Sequence, residues 1–308
     1  MQNTKKGLHP QNRHHGAYDF KALMQSMPGL SCYVKPNQHG TLSIDFADPL
    51  AVKYLNMAIL KYDYHIDSWT IPQGSLCPPI PGRVDYIHYV AELLNSELPI
   101  GKIRHHTIGL LDIGTGASGI YPLLACQTYG WDCVGSDINQ ASLDNLAQIL
   151  THNPNLQGSL VLRLQDNVHH IFQGVIKAGE YFDVSVCNPP FHASLPEALQ
   201  ANRRKRHNLA QSTFTELNFG GLNNELWCNG GEQLFLKKMI KESKIYASSV
   251  GWFTCLVSKK DNIKPAQKLI RKLGALDCKE IEMVQGHKKT RILAWTYDAR
   301  KAQCSSKV

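Results

Sequence analysis

From residue 108 onward the chain alternates short apolar runs with stretches of helical periodicity, and this alternation constrains its fold more than any other feature. The runs Ile108–Ile113, Trp131–Ser136, Leu160–Leu164, Tyr181–Cys187 and Val250–Ser258 lack the polar-apolar alternation of a half-exposed strand. Strands apolar on both faces need cover on both faces, as in a parallel sheet with helices above and below. The intervening segments supply such helices, the clearest carrying Leu143, Leu146, Ala147 and Leu150 in step. A helix around Pro265–Leu273 and two strand-like runs, Cys278–Val284 and Arg291–Tyr297, complete the series. Gln285-Gly286-His287 between those runs is too short for a parallel crossover, so they must pair antiparallel. The expected fold is α/β, doubly wound and Rossmann-like, with a mostly parallel seven-stranded sheet and an antiparallel last strand.

The first eighty residues read differently, as a small helical module. Phe20, Leu23, Met24 and Met27 fall on one helix face that Pro28-Gly29 ends. Asp48 as N-cap and Pro49 in the first turn open a second helix, with Leu55, Ala58, Ile59 and Tyr62 on its apolar face. Pro72, Pro78, Pro79 and Pro81 make 72–82 a connector, followed by an amphipathic helix over Tyr86–Leu94. The expected division is a module over 1–80 and a larger domain over 81–308. Within the latter, 193–231, with its basic run and paired glycines, is too long for an idle connector and is expected to be a mobile substrate loop.

Several function classes fall away on composition. At 308 residues, 43% hydrophobic and a mean hydropathy of −0.27, the chain is neither a stapled miniature scaffold nor a disordered segment. Its longest apolar stretch, Ile120–Cys126, is broken by Pro122 and falls far short of a membrane span. The first twenty residues have no apolar signal core, so a cytoplasmic location is expected. Nine scattered cysteines without a C-x-x-C pair point to reduced apolar residues rather than a metal or disulfide framework. His14-His15, His105-His106 and His169-His170 lack ligand spacing and read as surface residues, so no metal is expected.

The charge is local. Residues 259–308 hold 13 Lys and Arg against 5 Asp and Glu, whereas residues 1–258 hold 20 of each. Lys5, Lys6 and Arg13 form one further cluster and Arg203, Arg204, Lys205 and Arg206 another. Such blocks suit a polyanion, which makes these seven residues candidate RNA contacts and 1–80 a candidate RNA-binding module.

The chemistry concentrates at two strand ends. Gly114-Thr115-Gly116-Ala117-Ser118-Gly119 satisfies G-x-G-x-x-G between a strand and a helix, with Asp137 ending the next strand. Read literally this is a dinucleotide site, but Asp112 just before the turn would repel a pyrophosphate and attract the ammonium or sulfonium of S-adenosylmethionine. In that reading Gly114 and Gly116 let the backbone approach the methionine portion, Asp137 accepts from both ribose hydroxyls, and Asp166-Asn167 meet the adenine. Asn188-Pro189-Pro190-Phe191 directly follows the fourth apolar run. The prolines fix the backbone so that the Asn188 side-chain oxygen and the Pro189 carbonyl can point at one planar amino group. Two acceptors holding its hydrogens would aim the nitrogen lone pair at a methyl group without a general base. Phe191 would stack on a flipped base.

These residues, with Asn12-Arg13, Cys77 to Arg83 followed by Tyr86-Ile87-His88, and Gly230-Gly231-Glu232, resemble the RlmF family over nearly the whole chain. The resemblance implies a class I AdoMet-dependent methyltransferase that modifies adenine N6 in 23S rRNA, akin to the human U6 snRNA adenine-N6 enzyme. It implies Arg83 near the methionine carboxylate, Ser118 and Asn167 with Gly114 and Asp137 on the cofactor, and Asn188 to Phe191 on the target adenine. The expected partner is 23S rRNA or a large-subunit assembly intermediate, bound by a monomer. The motif also serves guanine N2 and glutamine N5, so those acceptors stay open, as do a nicotinamide-dependent dehydrogenase and a silent RNA-binding protein.

Overall fold

The computed structural model describes residues 7–73, 75, 77–95, 106–190, 230–285 and 288–302. Seven strands form one sheet: β3 (Gly109–Ile113), β4 (Asp132–Asp137), β5 (Leu160–Leu164), β6 (Phe182–Cys187), β7 (Val250–Val257), β8 (Asp277–Gln285) and β9 (Lys288–Thr296). Their order is β5-β4-β3-β6-β7-β9-β8, parallel except where β9 runs antiparallel between β7 and β8. Every residue of β6 and β7 is buried, which is why neither shows polar alternation. The two faces divide the sheet's side chains: Leu110, Val184 and Trp252 point into one core, Leu111, Phe253 and Trp295 into the other. Phe253 and Trp295, paired across β7 and β9, stack at 5.7 Å.

The first core is covered by α3 (Ile80–Asn95), α4 (Ile120–Tyr129) and α5 (Gln140–Thr151); the second by α6 (Gly231–Ser243) and α7 (Ile263–Lys272). The N-terminal elements α1 (Phe20–Ser26) and α2 (Pro49–Tyr64) join the first core through Phe20, Leu23, Leu55 and Ile59, so these helices and the sheet share one apolar interior. Both begin where the sequence places them: Asp19 accepts from the Ala22 N–H, and Asp48 from the Leu50 N–H beside Pro49. Between them lies a two-stranded hairpin, β1 (Val34–Pro36) with β2 (Leu42–Ile44), whose three-residue strands are too short for a periodicity to register.

Helix α3 starts earlier than the prolines suggest. Ile80, Pro81 and Gly82, read as connector, form its first turn, where a missing proline N–H costs nothing because those donors have no helical acceptor. The N-terminal segment clamps this turn. Asn12 Nδ2 donates to the Pro81 carbonyl and to Asp85 Oδ1, at 2.9 and 2.8 Å, and the His9 N–H donates to the same carboxylate oxygen at 2.8 Å. His14 is accordingly not a surface residue: it is 6% exposed and its Nε2 lies 2.8 Å from the Tyr64 hydroxyl.

Candidate active site

A cavity of about 560 Å³ opens at the carboxyl ends of β3, β4 and β6, where open α/β sheets hold their ligands. Arg83, Gly114, Gly116, Ser118, Asp137, Asn188, Pro189 and Pro190 all line it. The structure thus brings eight of the eleven expected catalytic and cofactor residues to one wall. Phe191 lies outside the described residues, as do Lys5, Lys6, Arg203, Arg204, Lys205, Arg206 and the expected loop except for Gly230 and Gly231.

The glycine turn is built for close backbone approach. Gly114 and Gly116 have φ of +74° and +65°, and a Cβ on Gly114 would meet none of the described residues within 4 Å, which leaves the volume in front of it open among them. Gly119 serves packing instead: a Cβ there would run into Leu146 of α5. Ser136 O accepts the N–H groups of Gly114 and Thr115, both at 2.9 Å. Two residues invisible to the motif hold the outer carbonyls: Trp69 Nε1 donates to Ser118 O at 2.9 Å, and Asn145 Nδ2 to Ala117 O at 2.8 Å.

Asp137 anchors the turn from β4. Its Oδ2 accepts from the Gly116 N–H at 2.8 Å and its Oδ1 from the Asn139 N–H at 2.9 Å. Each oxygen keeps a second lone pair, so the carboxylate can still accept from a diol. Burial pushes its pKa up, and the backbone donors of Asn139, Gly116 and Ile138 oppose that. Arg83, in the first turn of α3, donates from Nη1 to the Tyr121 hydroxyl at 2.6 Å and lies over that ring at 5.6 Å, while its Nε, buried, has no partner among the described residues. A guanidinium held with a donor to spare suits a carboxylate.

Two of the expected residues lie off the cavity wall. Asp112 does not reach the cavity wall: it is fully buried behind the turn, and neither oxygen has a hydrogen-bond partner among the described residues. Burial pushes its pKa up to about 7; the nearby Thr115 hydroxyl opposes this, and the Asp137 charge adds to it. Asn167 turns away as well. Its Oδ1 accepts the His169 N–H and its carbonyl the His170 N–H, so its polar groups close their own turn. The wall there is Gln165, Val168, His169, His170 and Ile171, with exposed Ile138 opposite. His169 and His170, read as mere surface, therefore belong to the cavity.

At the far end, Asn188 follows the last residue of β6. Its Oδ1 is buried and has no hydrogen-bond partner among the described residues. The preceding backbone is fixed from behind, because the fully buried Tyr86 hydroxyl accepts from the Cys187 N–H at 3.4 Å and meets Thr254 Oγ1 at 2.7 Å. Glu232 does similar work on α6, being 1% exposed and accepting from the Ser258 hydroxyl, the Ser258 and Lys259 N–H groups and Asn262 Nδ2. Arg13 is partly engaged: its Nη1 donates to the Asp63 carbonyl and its guanidinium lies 5.2 Å over the Tyr64 ring.

Comparison with known proteins agrees with this arrangement. A family model described as RNA methyltransferase matches residues 2–299. Ribosomal RNA large subunit methyltransferase F of Saccharophagus degradans is 57% identical over 95% of both chains, and its namesake from Shewanella frigidimarina is 52% identical over 95% of this chain and 85% of that one. Among solved structures, the hMettl16 catalytic domain in complex with MAT2A 3'UTR hairpin 1 superposes with a TM-score of 0.78 at 27% identity, covering 96% of each chain. The N-terminal domain of human METTL16 in complex with SAH gives 0.74 at 26%, covering 95% of this chain and all of that one. With its glycine turn, its Asp137 anchor and its Asn-Pro-Pro strand end on one cavity, the chain belongs to the RNA methyltransferase family.

Proposed function

We propose that this enzyme transfers a methyl group from S-adenosylmethionine to N6 of an adenosine in 23S rRNA, acting in the cytoplasm as a monomer on rRNA or a large-subunit assembly intermediate. The observation that carries this reading is the buried Oδ1 of Asn188 on the cavity wall, without a partner among the described residues. A buried acceptor without a donor is costly, and an exocyclic amino group would satisfy it. The names of the curated relatives support ribosomal RNA as the substrate.

The residues fit the cofactor. Gly114 and Gly116 leave room for its chain, Asp137 would accept from its ribose, Arg83 would meet its carboxylate, and Ile138 and Val168 would flank its adenine. When bound, it supplies an electrophilic methyl group. The chain's own work is to hold the acceptor nitrogen. Pro189 keeps Asn188 extended and Pro190 does the same for Pro189, so that Asn188 Oδ1 and the Pro189 carbonyl each accept one amino hydrogen. Lone-pair density on the nitrogen is then less delocalised into the ring, so attack needs no prior deprotonation, and the amino group gives up one proton to water after it has taken the methyl group.

Nucleoside mass mapping of 23S rRNA from cells lacking the enzyme tests the assignment, with the purified enzyme added back. Loss and restoration of N6-methyladenosine at one position is expected; restoration of N2-methylguanosine would move the acceptor to guanine. Asp137→Ala is expected to weaken cofactor binding by about 1.5–3 kcal/mol, since hydrogen bonds to a charged acceptor are lost. Calorimetry with S-adenosylmethionine, its demethylated product and NAD checks this, and tight NAD binding would overturn the cofactor assignment.

A further inference from the structure

The basic excess of the last fifty residues does not sit where the active site is. On strand β9, Arg291 is 7% exposed and committed to Glu280, 3.1 Å away, with Glu282 at 3.9 Å. Lys279 of β8 lies over the Trp252 ring at 5.2 Å. Four exposed cations of this stretch lie together on α7. Its buried face is Ile263, Ala266 and Ile270, and its exposed face is Lys264, Lys268, Arg271 and Lys272, at i, i+4, i+7 and i+8.

Helix α6 continues that surface. Leu236, Met239 and Ile240 bury themselves in the same core as α7, while Lys237, Lys241 and Lys244 are exposed at i, i+4 and i+7. The starts of the two helices are tied, Glu232 accepting from Asn262 Nδ2. None of these seven charges pairs with a carboxylate among the described residues. Of the neighbouring acids, Glu232 is spent as above and Glu242 on the N–H groups of Ile171, Phe172 and Gln173, while Asp261 stands exposed just before α7. Like charges at i, i+4 repel, so the face is electrostatically unfavourable until an anion covers it.

We infer that the outer face of α6 and α7 is a second RNA contact, binding the phosphate backbone of a duplex rRNA segment remote from the target base. The inference rests on the rRNA reading above. The occupant follows from the surface: two parallel rows of cations on convex helices match phosphates, whereas a single strand needs aromatic platforms on which bases stack. One nearby ring, Tyr297, is itself capped by Lys244 Nζ at 4.7 Å. The face borders the cavity's outer wall, to which α6 contributes Leu234, Phe235 and Lys238, so a duplex lying on it would leave the target strand free to enter.

The test is equilibrium binding of a structured 23S rRNA fragment to wild type and to the variant Lys264→Gln, Lys268→Gln, Arg271→Gln, Lys272→Gln across salt concentrations. The variant is expected to bind at least tenfold more weakly and to lose about 0.9 from the log-log salt slope for each duplex phosphate contact removed. Its cofactor affinity, and its methylation of a short oligonucleotide carrying only the target strand, should match wild type, which also verifies folding. Replacing Lys264, Lys268 and Lys272 by Arg should restore the slope. An unchanged slope and affinity would overturn the inference, and so would loss of binding to vesicles rich in anionic lipid with duplex binding intact. Failure of the wild type to methylate either RNA would sink the methyltransferase reading, while the duplex measurement would still decide this one.

Discussion

Asn188→Ala is expected to lower kcat by about 100- to 1000-fold, the scale observed when one preorganised hydrogen-bonding group is removed from a site where charge develops. Cofactor affinity should stay within a few-fold of wild type, because the lost contact is made to the methyl acceptor and strengthens only as the nitrogen attacks. The geometry separates these effects. Asn188 Oδ1 holds no other group in place among the described residues, so its removal loosens nothing, whereas the strand behind it stays anchored through the Tyr86 hydroxyl and Thr254. Single-turnover methylation of an rRNA fragment, with calorimetry for the cofactor, measures both quantities. Turnover within a few-fold of wild type would reduce Asn-Pro-Pro to a structural strand end and remove the central support for the proposed chemistry.

Most cavity residues legible from sequence share a property: Arg83 and Ser118 apart, each sits at or within a few residues of the end of a β-strand. A strand end fixes where the next side chain points, and for Gly114, Gly116, Asp137, Asn188, Pro189 and Pro190 the route from motif to cavity wall is one or a few peptide units long. Asn167 shows the limit. It lies in the turn after β5, whose N–H groups compete for its side chain, and its Oδ1 accepts from the His169 N–H. Long-range props could not be read at all. Trp69 and Ser118 are separated by 49 positions and Tyr86 and Cys187 by 101, and no periodicity connects them. Arg13 illustrates a further gap, since a charge count cannot distinguish a cation meant for phosphate from one that also packs on a tyrosine and a helix end. The same count does locate the basic excess after residue 258, but only the helical register of α7 reveals that its charges share a face.

Asp112 supports the sharpest thermodynamic expectation. Its carboxyl titrates near 7 in the native protein against 3.8 for the ordinary group, so the native state holds this proton more tightly than the unfolded chain does. Stability contributed at low pH is therefore lost as pH rises from about 4 to about 7, and above 7 the full cost of an ionised, unpartnered carboxylate, roughly 4 kcal/mol, falls on the native state. Asp112→Asn removes that titration. The variant should melt higher than wild type at pH 8, with the gap closing toward pH 4. The field of a negative charge behind the Gly114 turn is expected to favour a cationic ligand in the cavity. Cofactor binding should accordingly weaken in Asp112→Asn at pH 8, and in wild type it should strengthen from pH 6 to 8 as the carboxylate ionises. Scanning calorimetry at both ends of this range, with and without S-adenosylmethionine, measures the two effects together. A melting gap independent of pH would show that Asp112 is not the titrating group, and undiminished cofactor affinity in the variant would show that its charge faces no cation.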